Sequence, residues 1–344
     1  MSLARAISTG ELAELPSRRQ EDWRWTDLRG LVRSLPPPSA AGEARRAGPF
    51  ATLADREVVI VNGRGAEPVM LAPGESRVVA LRIVAAQGAG AHAARILVNV
   101  GAGASLTLLE SYEGETAEYL SEFDLDIRVA EGARLERIVL ADEAADAVSV
   151  SLANVEIAPG ASLAQTVVGV GAKRQRLETR VMHKGGGAAA RLDGVYVLED
   201  KRHSDLTTAV THEAVGGATD QLIKGIVRDQ ARSVFQGRIT VARGADKTDA
   251  RMGHHALVLS DRAEVDAKPE LEIFADDVAC AHGNSVGALD EDALFYACAR
   301  GLPEDAARAL LTAAFLAEVI DRIENQDARE VVRSFVEARL EGAS

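Results

Sequence analysis

From about residue 57 the chain runs in short stretches where apolar and polar positions alternate, as in Val58-Val-Ile-Val, Leu106-Thr-Leu, Val148-Ser-Val-Ser-Leu and Ile239-Thr-Val. Period-two alternation carried by β-branched residues predicts strands. Between these stretches one phrase recurs: Pro73-Gly74-Glu-Ser-Arg-Val, Ala102-Gly103-Ala-Ser-Leu, Glu131-Gly132-Ala-Arg-Leu and Pro159-Gly160-Ala-Ser-Leu. Looser copies stand at Gly186-Gly187, Gly216-Gly217 and Arg243-Gly244. Counted on Gly74, Gly103, Gly132, Gly160, Gly187, Gly217 and Gly244, the steps are 29, 29, 28, 27, 30 and 27 residues. So even a period of glycine corners predicts a solenoid, whose units bury their apolar faces only by stacking on one another. Each coil then holds about two strands and their turns. A β-sandwich is the competing architecture, but its turns come about every 8–12 residues and need not share a phrase. The pattern favours a β-helix.

The two ends differ from this middle. Residues 1–35 scatter Leu12, Leu15, Leu28, Leu31 and Val32 among charges and read as helical, with Trp23 and Trp25 as anchors onto the neighbouring unit or as a ligand-stacking pair. A boundary follows at Pro36-Pro37-Pro38-Ser39 and runs to Pro49. At the other end, Asp290 to Arg300 predicts a helix stopped by Gly301, and Pro303 opens a second with Glu304 and Asp305 in its first turn. Leu311, Phe315, Val319 and Ile323 recur every four residues, flanked by Leu316 and Ile320, and a third helix runs from about Asp327 to Leu340. These helices either cap the last coil or seat a partner. The expected organisation is an N-terminal helical region and linker over 1–50, a β-helix core over 51–288 and a C-terminal helical domain over 289–344.

Composition narrows the function. With 39 basic and 52 acidic residues the net charge is −13, which leaves no basic excess for gripping a nucleic acid. The most apolar stretch, Val78 to Val100, is broken by Arg82, His92 and Arg95, so no membrane span is expected. The N-terminus has no signal-like apolar core, and two cysteines make no disulfide framework, which together predict a cytoplasmic protein.

Candidate chemistry is sparse. Gly283-Asn-Ser285-Val-Gly287 matches the G-x-S-x-G string of a hydrolase nucleophile, but that site needs a histidine later in the chain and all seven precede Ser285. It reads as a turn. Lys184-Gly-Gly-Gly and Gly169-Val-Gly171 lack the residues that complete a phosphate loop or a dinucleotide fingerprint. Cys280-Ala-His282 ends an extended stretch, and in a strand residues i and i+2 share a face, so thiol and imidazole would lie side by side. Such a pair suits iron, zinc or copper(I), and a protonated imidazole would lower the thiol's pKa. Two ligands do not close a metal site, so others would have to come from another segment or another chain. A buried inert cysteine beside a surface histidine is the alternative reading. Cys298, mid-helix, reads as core filler, and His254-His255 would point to opposite faces of a strand.

The motifs from 205 to 320 resemble the SufB/SufD family of iron–sulfur cluster assembly proteins. They are Phe235-Gln-Gly237-Arg-Ile-Thr-Val, Ala245-Asp-Lys-Thr-Asp-Ala, Ala263-Glu-Val-Asp-Ala-Lys-Pro269-Glu-Leu-Glu-Ile, Asp276-Asp-Val-Ala-Cys-Ala-His-Gly and Leu294-Phe-Tyr-Ala-Cys-Ala-Arg-Gly. Glu21-Asp-Trp-Arg-Trp-Thr is similar to the family's N-terminal phrase. Gly283 after His282 follows the SufD-like branch; Ala281 stands for the usual Ser, and Asn284-Ser285 for Ala-Thr. The resemblance implies a right-handed parallel β-helix between helical regions and a non-enzymatic scaffold role. It implies pairing with a SufB-like protein through the β-helix, with a homodimer left open when that partner is absent. It also implies a SufC-like ABC ATPase on the C-terminal helices, through Leu311, Phe315 and Val319. Cys280 and His282 would then be interfacial ligands of iron or of a transient cluster, with none held stably by the isolated chain. A purely structural partner of SufB, and a β-helix enzyme acting on polysaccharide, are the remaining alternatives.

Overall fold

The computed structural model describes residues 1–341. Seventeen strands among them, β1 (Arg56–Val61) to β17 (Ala279–Gly287), wind into a parallel β-helix of about eight coils. Odd-numbered strands form a nine-stranded sheet in chain order; even-numbered ones, from β2 (Val69–Leu71) to β16 (Glu264–Ile273), form an eight-stranded sheet. Pairing is parallel throughout both sheets. Alternate residues point into the shared interior, where like stacks on like: Val100, Val129 and Ile157 are in register and buried. That regular burial, at about 25 cal/mol per Å² of apolar surface, is the main force holding the coils together. The structure excludes the sandwich.

The glycine corners are where the sequence places them, with one change. Gly74, Gly103, Gly132, Gly160, Gly187 and Gly244 all have φ between +63° and +79°, where a β-carbon is strained. At the sixth corner Gly216 (φ +72°), not Gly217, takes this conformation, which evens the last steps. Gly225 is held by sterics instead, since a β-carbon there would lie 1.9 Å from Cε2 of the buried Tyr196 ring. Gly225→Ala is therefore expected to cost about 3 kcal/mol in urea unfolding. Gly74→Ala, with nothing within 4 Å, should cost only about 1 kcal/mol, from added backbone strain.

The N-terminal segment is less helical than its sequence suggests. Only α1 (Leu3–Thr9), capped by Ser2, and α2 (Leu28–Leu31), capped by Asp27, are α-helical, with two 3-10 turns between them. The segment lies on the outer face of the eight-stranded sheet, burying Leu3, Leu15 and Leu28 beside Leu120, Val148 and Val150. Trp23 is an anchor here: the Arg176 guanidinium lies 4.5 Å from its ring centre and also bonds Asp205 at 2.7 Å. The Thr26 hydroxyl donates to the same Asp205 at 2.5 Å, so the segment closes over a buried charge cluster.

The C-terminal helices are α3 (Glu291–Ala299), α4 (Glu304–Ile320) and α5 (Gln326–Glu341). Contrary to the capping reading, α4 and α5 lie along the flank of the coil. Leu316, Val319, Ile320, Ile323, Val332 and Val336 cover Leu109, Leu140, Val168, Val195 and Ile226, which face outward from the nine-stranded sheet. Polar ties reinforce this contact. Buried Asp193 meets Arg191 and Arg322, each at 3.2 Å; Glu136 accepts the backbone N–H groups of Glu324 and Asn325; Lys224 pairs with Glu318. The free edges of the last coil, β16 and β17, remain open among the described residues, and nearly every residue of both is exposed or half-exposed.

The interior also holds titratable groups. Burial lowers His92, His203, His212 and His254 to a pKa of about 4 and His183 to about 3. An unfolded histidine titrates near 6.5, so between pH 6.5 and 4 the unfolded chain binds protons that the native chain does not. Stability must then fall as pH falls through that window. Glu122 and Asp193, raised by burial to about 7, act in the opposite sense and offset part of this loss, as do Asp124, Glu136 and Glu143, which burial also raises. Thermal unfolding from pH 7 to 4 should show a falling Tm, a net loss on the order of several kcal/mol; a flat Tm would contradict this assignment of neutral histidines.

Candidate site at the open end of the coil

Strand β17 is formed by pairing with β15 (Asp249–Val258), in the register Ala250 with Cys280, Met252 with His282 and His254 with Asn284. Ala250, Met252 and His254 face the buried interior, so Cys280, His282 and Asn284 share that inward face. No further coil covers them among the described residues. Cys280 and His282 thus stand side by side, about 7 Å apart along the strand. Cys280 is half-buried against the interior core, while His282 is exposed. Burial, with the nearby Asp249 charge, pushes the Cys280 thiol up rather than down. The thiol is therefore held protonated at neutral pH, against the idea that His282 activates it.

A sulfur and an imidazole nitrogen suit iron, and the pair lies uncovered on the inner face of the last strand. No group of three or more His, Cys, Asp or Glu able to hold a metal occurs among the described residues, so this chain offers two donors at that position.

Other candidates fall into place. Gly283 to Gly287 is strand, not turn, because parallel pairing to β15 overrides its turn-like composition. His254 and His255 lie on opposite faces, and each reaches the last strand: His254 Nδ1 to Asn284 Oδ1 and His255 Nδ1 to Ser285 Oγ, both 2.7 Å. Asp276 and Asp277 are exposed in the bend before β17. Cys298 is half-exposed on α3 rather than core, since the buried residue of that helix is Leu294.

The expected docking stripe is largely used within the chain. Val319 is fully buried against the sheet, Phe315 is half-buried with the Lys224 ammonium 4.5 Å from its ring centre, and Leu311 is half-buried. The apolar side chains left open are Phe295 (76% exposed), Tyr296 (60%), Leu310 (55%) and Leu302 (39%). The four-residue spacing signals an apolar face without saying what covers it, and so it points at the inner face of α4 instead of at α3.

A groove of about 810 Å³ runs along the outer face of the nine-stranded sheet. Its lining has no aromatic platform, and its carboxylates Glu136, Asp220, Asp249 and Glu324 are already tied to backbone N–H groups or arginines. That arrangement does not favour a glycosidase-like site.

Comparison with known proteins gives the family. Residues 82–315 match the family described as SUF system FeS cluster assembly, SufBD core domain. The chain belongs to the SufBD family. The SufBD core thus covers the coils from β3 (Ser76–Ala85) through β17, together with α3 and most of α4. The chain is 30% identical over 72% of its length to the iron–sulfur cluster assembly protein SufD of Escherichia coli, covering 59% of that protein. It is 31% identical over 71% of its length to a SufBD family protein of Synechocystis, slr0076, covering 56% of it. A third relative is the chloroplastic protein ABCI7 of Arabidopsis thaliana, 30% identical over 72% of this chain and 52% of that one. The chain therefore spans just over half the length of these SufBD relatives. No helix among the described residues is long and apolar enough to cross a membrane.

Proposed function

We propose that this chain is a non-enzymatic scaffold subunit of iron–sulfur cluster assembly, acting in the cytoplasm. It pairs through the open end of its β-helix with a SufB-like chain, and Cys280 and His282 contribute half of a site where a cluster is built as cargo. The observation that carries this reading is the placement of a sulfur and a nitrogen donor on the uncovered inner face of the last strand. Two donors on an open edge become a closed site when a second coil abuts them. The exposed backbone of β16 and β17 gives such a coil its means of pairing.

The C-terminal helices receive a SufC-like ABC ATPase, at the patch of Phe295, Tyr296, Leu302 and Leu310. Because α4 and α5 are tied to the sheet, force applied at α3 moves the whole coil as one body and so changes the abutting end. Phe295→Asp with Tyr296→Asp should weaken co-purification of the ATPase by more than about tenfold without changing Tm. Val319→Asp should instead lower Tm, because a carboxylate would be buried against the sheet. Co-expression with a SufB-like chain and an ABC ATPase tests the assembly itself: a stable ternary complex is expected, and a chain that purifies without either contradicts the proposal.

A further inference from the structure

Asn284 is the third inward-facing residue of β17, two positions beyond His282. Its side-chain oxygen lies 2.7 Å from Nδ1 of His254. An amide oxygen can only accept, so Nδ1 carries the imidazole proton and Nε2 is bare. Tyr196 Oη, 2.9 Å from Nε2, is then the donor to it. His254 is itself fully buried, stacked on Phe235 with ring centres 4.7 Å apart and 10° between planes. Tyr196 is 1% exposed and packed against Gly225. The direction of this hydrogen-bond chain is thus fixed from the core outward: hydroxyl to imidazole, imidazole to amide oxygen. The amide of Asn284 ends it with both N–H groups unspent among the described residues, on an exposed side chain at the open end. Burial keeps His254 neutral, which preserves the polarity.

Resting on the reading of Cys280 and His282 above, we infer that Asn284 is a third member of the site, donating its amide N–H groups to the sulfur of a cluster held at His282, with Tyr196 and His254 as positioning residues. Its Cα lies about 7 Å along the strand from that of His282, within side-chain reach of a ligand on the imidazole. The ligand class is a sulfur anion, either sulfide or thiolate. Hydrogen bonds to cluster sulfurs raise reduction potential and favour the more negative state.

The test compares variants of the full chain in complex with a SufB-like partner, reading cluster yield and reduction potential. Asn284→Asp keeps an acceptor for His254 but turns the outward donor into a negative acceptor, whereas Asn284→Ala loses both. A donor role predicts the order wild type, then alanine, then aspartate, with yield down several-fold in the aspartate variant and the potential shifted negative in both. Tyr196→Phe, which touches no ligand, should shift the potential in the same direction by freeing the imidazole tautomer. A role limited to holding the strand predicts that the two variants exchange places, with aspartate close to wild type and alanine lowest, and that result overturns the inference. Normal yield and potential in Asn284→Asp, with cluster lost in His282→Ala, overturns it alone. Cluster retained in His282→Ala overturns the reading on which it rests.

Discussion

Replacing His282 by alanine, in a complex of this chain with a SufB-like partner, is expected to cut cluster formation by more than about tenfold while leaving folding and pairing intact. Even groups that only orient a metal ligand cost about 10–100-fold when removed, and loss of the ligand itself should cost at least that much. His282 is exposed and makes no side-chain hydrogen bond among the described residues, so its removal leaves no buried group unpaired. Cys280→Ala should act in the same direction and carry a small stability cost as well, since Cys280 packs against the interior core. Cluster formation measured by absorbance, beside co-purification and Tm on the same samples, separates these effects. Full assembly in the double variant would leave the chain a structural partner, with the chemistry on its neighbour.

The largest stability effect is expected deep in the coil. Arg137 is 3% exposed and binds the fully buried Glu110 by two hydrogen bonds of 2.6 and 2.7 Å, while a third, to Gln165, is 2.7 Å. Arg137→Ala would leave the buried Glu110 carboxylate with only the Tyr112 hydroxyl, at 3.3 Å, and no counter-charge, at a cost of about 3–5 kcal/mol. Arg137→Met combined with Glu110→Leu should recover most of that loss, because two apolar side chains of similar shape leave no charge unpaired. Urea unfolding measures both. Equal stability of the single and double variants would mean the pair is not what the interior depends on.

The coil was legible because its corners repeat. A left-handed corner admits few residues besides glycine, so Gly74, Gly103, Gly132 and Gly160 mark the period in the sequence itself. The adjacent pair Gly216-Gly217 was ambiguous for the same reason: Gly216 takes the left-handed corner, while Gly217 is small because a β-carbon there would lie 2.5 Å from the His212 ring. The place of the C-terminal helices was less legible, yet a signal existed. Ile138-Val139-Leu140 and Val167-Val168 are continuous apolar runs, as expected of strands buried on both faces, and they mark the flank that α4 and α5 cover. At the site, period two was enough to put Cys280 and His282 on one face. Asn284 was hidden, since glycine, asparagine and serine in sequence carry turn chemistry. Its partner His254 lies 30 residues away, and only the register of two coils brings them together.

Backbone amide hydrogen exchange, taken on the full chain with and without a SufB-like partner, tests most directly whether the open end is the half-site. Slowed exchange is predicted across β16 and β17, around Cys280 and His282, with the flank under α4 and α5 unchanged. Protection confined to the flank or to the N-terminal segment, with β17 exchanging as fast as in the chain alone, would contradict the account.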